Sequence, residues 1–425
     1  MTFFGPSQRE RTELLPVVIE CYLDDGTIID VAERLPPTQP SIAENLHLLG
    51  IEACRRDRAT RGVPRVLTYR PYGVPSLSGF FTKAARAIQE AFAHDGGWVV
   101  IDYAHEGYTE WMSERLREAL VEIDYEVDPH RLVLLTGDVD GPSREQPAAT
   151  DVGAKGFRVL FVNYFGALVA SQDPWRASPS APRFAAGSFA TLCLNRRVRL
   201  HRVAVAAEIV RLRLNSAVSL PQVFEDRTIW DVLECDGSRL GLAPTTRLEL
   251  VDWAATLDPV LPLVVDTADV ERNHAYSLDA ALYLGADVTI VTESLFFECH
   301  GRHRFLSEKV FRPLAVGRPF FVVGSAGTLA ALAQLGFRTF SAAWNESYDA
   351  VAEPDGRLKE VLRSICETLT PSSWAVRDVD AITEAVAHNR AQMEDPATFH
   401  AWTRGLSELL AGRDGRDLHG VECGL

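Results

Sequence analysis

Short apolar runs alternating with longer stretches of helical period dominate this chain, and they restrict it more than any other feature. In the first half LPVVIECYL from Leu15, RVLTYR from Arg65, GWVVIDYA from Gly97, RLVLLTG from Arg131 and FRVLFVNYF from Phe157 read as strands. Between them, FFTKAARAIQEAFAH and EWMSERLREALVEI carry apolar residues at helical spacing. A break follows at SQDPWRASPSAPRFAAGS, where Pro, Ser and Ala crowd together without a period, as in a linker. The alternation then restarts with the strand FATLCLN, a helix from His201 through Ala206 to Leu212, and the strands LPLVVDT, DVTIVTES, RPFFVVGS and FRTFSAAW. From Val379 to Leu410 the tail is helical apart from a break at Glu394-Asp395-Pro396. The expected fold is α/β, with two Rossmann-like domains facing across a cleft. Residues 1–185 form the first domain, 186–375 the second, and the helical tail 376–425 crosses back over the first. In such folds ligands sit outside the carboxyl ends of the strands, so the loops there are where chemistry is expected.

Charge and cysteine usage exclude several classes. Lys and Arg number 43 against 58 Asp and Glu, a formal net charge of −15, whereas phosphate neutralisation by cations supplies most nucleic-acid affinity. No nucleic-acid partner is expected. The Cys residues number 7, are scattered, and include no C-x-x-C pair, which argues against a disulfide framework or a zinc ribbon. No run approaches the ~20 apolar residues of a spanning helix, and the first residues lack a signal-peptide core. A cytoplasmic protein with no transmembrane segment is expected.

The most informative stretch runs from Asp287 to Gly336. A strand ends in Thr292-Glu293-Ser294, a loop follows, and Ser307 stands where a helix N-cap belongs, with Glu308 and Lys309 in the first turn. A Glu there accepts hydrogen bonds from ribose hydroxyls, while the Lys and the helix N-terminus favour a diphosphate. The plainer reading makes the pair a capping and surface charge couple. A second cluster follows the strand that ends at Asn195. Arg196, Arg197, Arg199, His201 and Arg202 occupy the turn into a helix, where arginines clamp a pyrophosphate bidentately or line a solvated loop.

Taken in order, strand, Thr-Glu-Ser, Ser-Glu-Lys, helix, Gly-Arg-Pro, strand and Gly loop resemble the donor half of GT-B glycosyltransferases. The likeness is to those of the fucosyltransferase type and to bacterial GT-B-like proteins with an S/T-E-K-x-x-x-P motif. GSAGTLAALAQLGFRTF, Asn345–Asp349 and LNR-x-x-R-x-HR also resemble that bacterial group. The likeness covers the chain from about Phe189 to Tyr348; the first half matches by pattern alone. It implies an enzyme, a metal-independent and inverting glycosyltransferase that uses a nucleotide sugar as co-substrate and needs no cofactor. The acceptor is an unidentified saccharide, lipid, small molecule or protein. The donor would be held by Glu308, Lys309, Ser307, Thr292, Glu293, Asn195, Arg196, Arg199, Arg202 and Gly324. A non-catalytic nucleotide- or sugar-binding protein of the same fold is the alternative.

Other signals compete. Asp138-Val139-Asp140 is similar to the D-x-D of metal-dependent GT-A transferases, yet Gly141-Pro142 directly after it is ordinary turn chemistry. VVGSAGTLAAL lacks the full dinucleotide fingerprint, so Gly324 and Gly327 either admit the donor backbone-close or shape a turn. Cys299, His300 and His303 share one short loop without a second ligand pair. For a general base the first half offers Asp102 at a strand end and Glu106, beside His105, in the loop after it. Asp102 is equally a helix-capping or buried hydrogen-bonding group, and Tyr103, Tyr108 and Trp111 either stack on a sugar or pack.

Overall fold

The computed structural model describes residues 15–23, 27–33, 46–49, 51–55, 63–71, 77–107, 109–142, 157–171, 191–224, 227–240, 242–265, 280–297, 303–369 and 378–412. The fold is α/β, and the chain divides into two compact units, Met1–Ala167 with Pro396–Leu425, and Leu168–Asp395. Apart from Ser171, the linker-like stretch lies outside the described residues.

In the first unit, β1 (Leu15–Tyr22) carries two short strands along one edge, antiparallel β2 (Ile28–Asp30) and parallel β3 (Ile51–Ala53). Along its other edge β4 (Arg65–Tyr69), β5 (Gly97–Tyr103), β6 (Leu132–Thr136) and β7 (Arg158–Phe161) follow in order, all parallel. At three residues each, β2 and β3 are too short to show a period. β5 and β6 are buried along nearly their whole length, which is why they read as unbroken apolar runs. Leu67, Val99, Ile101, Leu132 and Leu134 pack against α1 (Leu77–Lys83), α2 (Ala85–Ala93) and α3 (Thr109–Glu122) through Phe80, Phe81, Ile88, Met112 and Leu116. Each such side chain contributes ~1.5–3 kcal/mol on burial. Gly97 permits the tight entry from α2 into β5, because a Cβ there would lie 1.6 Å from the Ala91 carbonyl oxygen. After β7 comes α4 (Tyr164–Ser171), and the final helix, Pro396–Leu410, packs on β7 and the Leu46–Leu49 turn.

The second unit holds a four-stranded parallel sheet in the order β13-β12-β8-β9. Chain order is β8 (Thr191–Leu194), α5 (Leu200–Arg211), β9 (Ser216–Ser219), then a hairpin of β10 (Val223–Phe224) and β11 (Arg227–Thr228). Next are α6 (Ile229–Arg239), α7 (Pro244–Leu257), α8 (Ala280–Leu284), β12 (Val288–Thr292) and α9 (Glu308–Val316). β13 (Phe320–Val323), α10 (Thr328–Gln334), α11 (Pro354–Leu369) and α12 (Val379–Glu394) complete it.

Two expected strands are corrected. In LPLVVDT only Leu263 engages, in a single antiparallel bridge to Leu220, and Asp266-Thr267 lie outside the described residues. FRTFSAAW forms turns. Its Phe340 and Trp344 stack at 4.9 Å, so both face inward four residues apart, a spacing a strand of period two cannot offer.

Both units share one winding rule. From β1 the chain pairs β3 on one side and then returns to place β4 on the other; from β8 it pairs β9 and then returns to place β12. Each sheet therefore has a topological switch point, and the carboxyl ends of β8 and β12 mark that of the second unit.

Candidate functional site

Register brings the end of β8 beside the end of β12, and Thr292 Oγ1 donates to Asn195 Oδ1 at 2.6 Å across that gap. Asn195 is fixed from the other side, its N–H reaching Ser219 at 3.0 Å and its Nδ2 donating to Cys193 Sγ at 3.3 Å. The sheet's central crossing is thus tied by buried polar groups that satisfy one another.

Glu293 comes next, almost fully buried. Its carboxylate accepts from Ser307 Oγ at 2.5 Å, from Ser307 N–H at 3.2 Å and from Ser294 N–H at 3.2 Å. Burial pushes its pKa upward, against the pull of Lys309 and Ser307. Ser307 also caps α9, accepting from Lys309 N–H at 3.4 Å, as the sequence leads one to expect, and Gly317 closes the other end at φ 71°. One serine therefore stitches the helix start to the end of β12.

Glu308 and Lys309 stand in that first turn. Lys309 Nζ lies 2.8 Å from Glu308 Oε1, 3.3 Å from Ser307 Oγ and 3.4 Å from Ser294 Oγ, with the pair's side chains 23% and 14% exposed. This is more enclosed than the surface couple of the plainer reading. Burial alone would raise the Glu308 pKa, but the cations Lys309 and Arg312 outweigh it and hold it at about 2. The unfolded carboxyl titrates near 4.5, so this stabilisation is complete above about pH 5 and is lost as pH falls through 4.5 toward 2. It amounts to on the order of 3 kcal/mol. Glu308→Gln should therefore lower unfolding stability at pH 7, and urea titrations should show the gap to the parent closing between pH 5 and 2.

The basic cluster behaves differently from its sequence reading. Arg202 is buried, and its guanidinium donates to the carbonyls of Arg197, Thr292 and Glu293 at 3.2, 3.3 and 3.2 Å. Burial, then the neighbouring Arg199, pushes its pKa down to about 10, still charged at neutral pH. Arg199 donates to Ser294 O at 2.5 Å. The ring nitrogen His201 Nε2 donates to Glu293 O at 2.9 Å, and its ring stacks on Phe296 at 5.2 Å. Burial, then Arg202 and Arg199, keeps that imidazole neutral. Arg202 and Arg199 thus hold peptide carbonyls at the end of β12. Arg196 and Arg197 are exposed at the turn.

Two residues that matter here were given no role in the sequence reading. Arg357, from α11, is fully buried and donates to Gly324 O at 3.1 Å, Val351 O at 2.8 Å, Ala352 O at 3.1 Å and Phe296 O at 2.7 Å, with its guanidinium 4.6 Å over the Phe296 ring. The available signal was an arginine on the apolar stripe that Val361 and Ile365 continue. Asp349 accepts from Leu329 and Ala330 N–H at 2.9 and 3.1 Å, so a carboxylate of the chain already sits on the start of α10. That occupancy weighs against the dinucleotide reading of the Gly loop. His201, already named in the basic cluster, acts through the Glu293 backbone carbonyl. Gly324 lets its loop press against Glu293, whose Cβ lies 3.4 Å from where a side chain would begin.

In the first unit the candidate bases separate. Asp102 is fully buried within β5, and its Oδ1 accepts from Ala104 N–H at 3.3 Å, while Glu106 is exposed in the loop. Tyr103 belongs to the core, Trp111 packs beside it, and Tyr108 lies outside the described residues. Asp138 Oδ1 accepts from Asp140 N–H at 3.1 Å, the turn chemistry that Gly141-Pro142 suggests. Cys299 and His300 lie outside the described residues. Among the described residues no helix is long and apolar enough to cross a membrane. No family model matches the chain, and a search of curated proteins finds no match.

Proposed function

We propose that the chain is a GT-B-like glycosyltransferase that moves a sugar from a nucleotide sugar to an acceptor hydroxyl, without a metal and with inversion. The observation that carries this reading is the Ser307-capped helix start beside the switch point of the second sheet, where Lys309 and Glu308 stand together in one half-buried turn. A diphosphate there meets Lys309, the first N–H groups of α9 and the exposed Arg196, while Glu308 accepts from the ribose hydroxyls. In the transfer the acceptor oxygen forms a bond to the sugar's anomeric carbon as the bond to the phosphate oxygen breaks. The electron pair leaves with the nucleoside diphosphate, the acceptor proton passes to a general base, and the cations stabilise the departing charge.

Isothermal titration and product assays with a panel of UDP-, GDP- and dTDP-sugars, with and without EDTA, test the reading. Binding with turnover that survives EDTA is the expected result. Binding without turnover would make the protein a non-catalytic nucleotide-sugar binder, and activity lost to EDTA would point to a metal held by Asp138 and Asp140. If no nucleotide sugar binds, the reading fails.

A further inference from the structure

A single hydroxyl proton links Glu293 to Lys309. The Ser307 oxygen has three polar neighbours: Glu293 Oε2 at 2.5 Å, Lys309 Nζ at 3.3 Å and the Lys309 N–H at 3.4 Å. An ammonium and a peptide N–H donate and cannot accept, whereas a hydroxyl has one proton to give and two lone pairs to offer. The direction of each bond is thereby fixed. The hydroxyl proton goes to Glu293, and both lone pairs turn to Lys309. A separation of 2.5 Å is that of a hydroxyl donating to an ionised carboxylate. From the N–H groups of Ser307 and Ser294 the same carboxylate accepts twice more.

Glu293 is 1% exposed, so it reaches a ligand only at one remove. What it does reach is the footing of the ammonium. Lys309 Nζ donates to Glu308 Oε1 at 2.8 Å, to Ser307 Oγ at 3.3 Å and to Ser294 Oγ at 3.4 Å. Two of those three acceptors stand on residues that the Glu293 carboxylate holds. Glu293 is fixed in turn from α5, its carbonyl accepting from Arg202 at 3.2 Å and from His201 Nε2 at 2.9 Å. A lysine head on its four-carbon stem wanders unless such contacts hold it, and a group already held loses less freedom on taking up a ligand.

We propose that Glu293 is a positioning residue: through the Ser307 hydroxyl it holds the Lys309 ammonium where a diphosphate is to be met. That the ammonium meets a diphosphate rests on the donor reading above; that Glu293 sets its place does not.

The chain has four lysines, Lys83, Lys155, Lys309 and Lys359, so protein grown with isotope-labelled lysine shows four side-chain Cε resonances in NMR. Loss of one in Lys309→Arg identifies that of Lys309. Glu293→Gln keeps the shape but brings an amide that donates as well as accepts, so the hydroxyl proton loses its single destination. Ser307→Ala removes the link itself. Each variant, its fold checked by a melting curve, is expected to move the Lys309 resonance and leave the other three in place. Each should also weaken binding of GDP and UDP by about tenfold or more in calorimetry. Introduced into Ser307→Ala, Glu293→Gln should change neither reading further, because the hydroxyl through which it acts is gone. Should Glu293→Gln fail to fold, Glu293→Asp keeps the charge, withdraws the carboxylate and takes its place with the same expectation. An unmoved Lys309 resonance in the folded Glu293 variant overturns the positioning role, as does parental diphosphate affinity. An equal shift in the Ser307→Ala background overturns it too, since Glu293 would then act by charge alone. A moved resonance in a chain that binds no nucleoside diphosphate would support the coupling and overturn the donor reading alone.

Discussion

Lys309→Ala is expected to weaken nucleoside-diphosphate binding by ~10- to 1000-fold in isothermal titration. The side chain supplies charge-assisted hydrogen bonds to the phosphates from a turn where its own charge is only partly exposed, worth ~2–4 kcal/mol. Its present contacts, with Glu308, Ser307 and Ser294 between 2.8 and 3.4 Å, show how it is held ready rather than extended into solvent. Removing it does a second thing. Glu308, whose carboxyl Lys309 helps hold at about 2, then faces the diphosphate as an uncompensated neighbour. Lys309→Arg should recover part of the loss, because charge is kept while length and geometry change. Parental affinity of Lys309→Ala for every nucleotide sugar in the panel would remove the donor site from this turn.

A second large effect is expected at Arg357. Arg357→Met keeps the volume of the side chain and strips hydrogen bonds from four carbonyls, the buried ones of Phe296 and Gly324 and the less enclosed ones of Val351 and Ala352. Each of the two buried acceptors left orphaned costs ~1–3 kcal/mol, offset in part because a buried charge is also removed. A net loss of about 3–5 kcal/mol is expected in urea unfolding of the second unit. Because the guanidinium joins the loop after β12 to the loop after β13, nucleotide binding should fall in the surviving folded fraction too. A loss below ~1 kcal/mol would mean these loops keep their places without the clamp.

How far the sequence could be read depended on whether the determinant was local. The strands β1, β4, β5, β6, β7, β8, β12 and β13 were legible because each is a short run of consecutive apolar residues. Ser307 was legible as a cap because a helix start depends on the residues beside it. β3 and β9 were not, since their pairing is set by a neighbour far along the chain. Phe340 and Trp344 misled for the same reason: apolar density looked like a strand, while Phe340 meets Phe320 edge-on and Trp344 stacks on Phe321.

The charged groups divide along the same line. That Arg196, Arg199, Arg202, Glu308 and Lys309 fall in the turn after a strand or the first turn of the next helix follows from sequence order, because order fixes which residues stand where a strand gives way to a helix. What each does was decided only when the sheet was assembled. Two cations of one basic run turned to the carbonyls of Thr292, Glu293 and Ser294, 90 or more residues away, because burial leaves the Arg202 guanidinium no water to donate to. Lys309 and Glu308 found each other within one turn, a local outcome, but the enclosure that gives the pair its strength comes from β12 and Glu293. Period and capping are properties of neighbours in the chain, whereas hydrogen-bond choice and desolvation belong to neighbours in space, and only the folded chain has those.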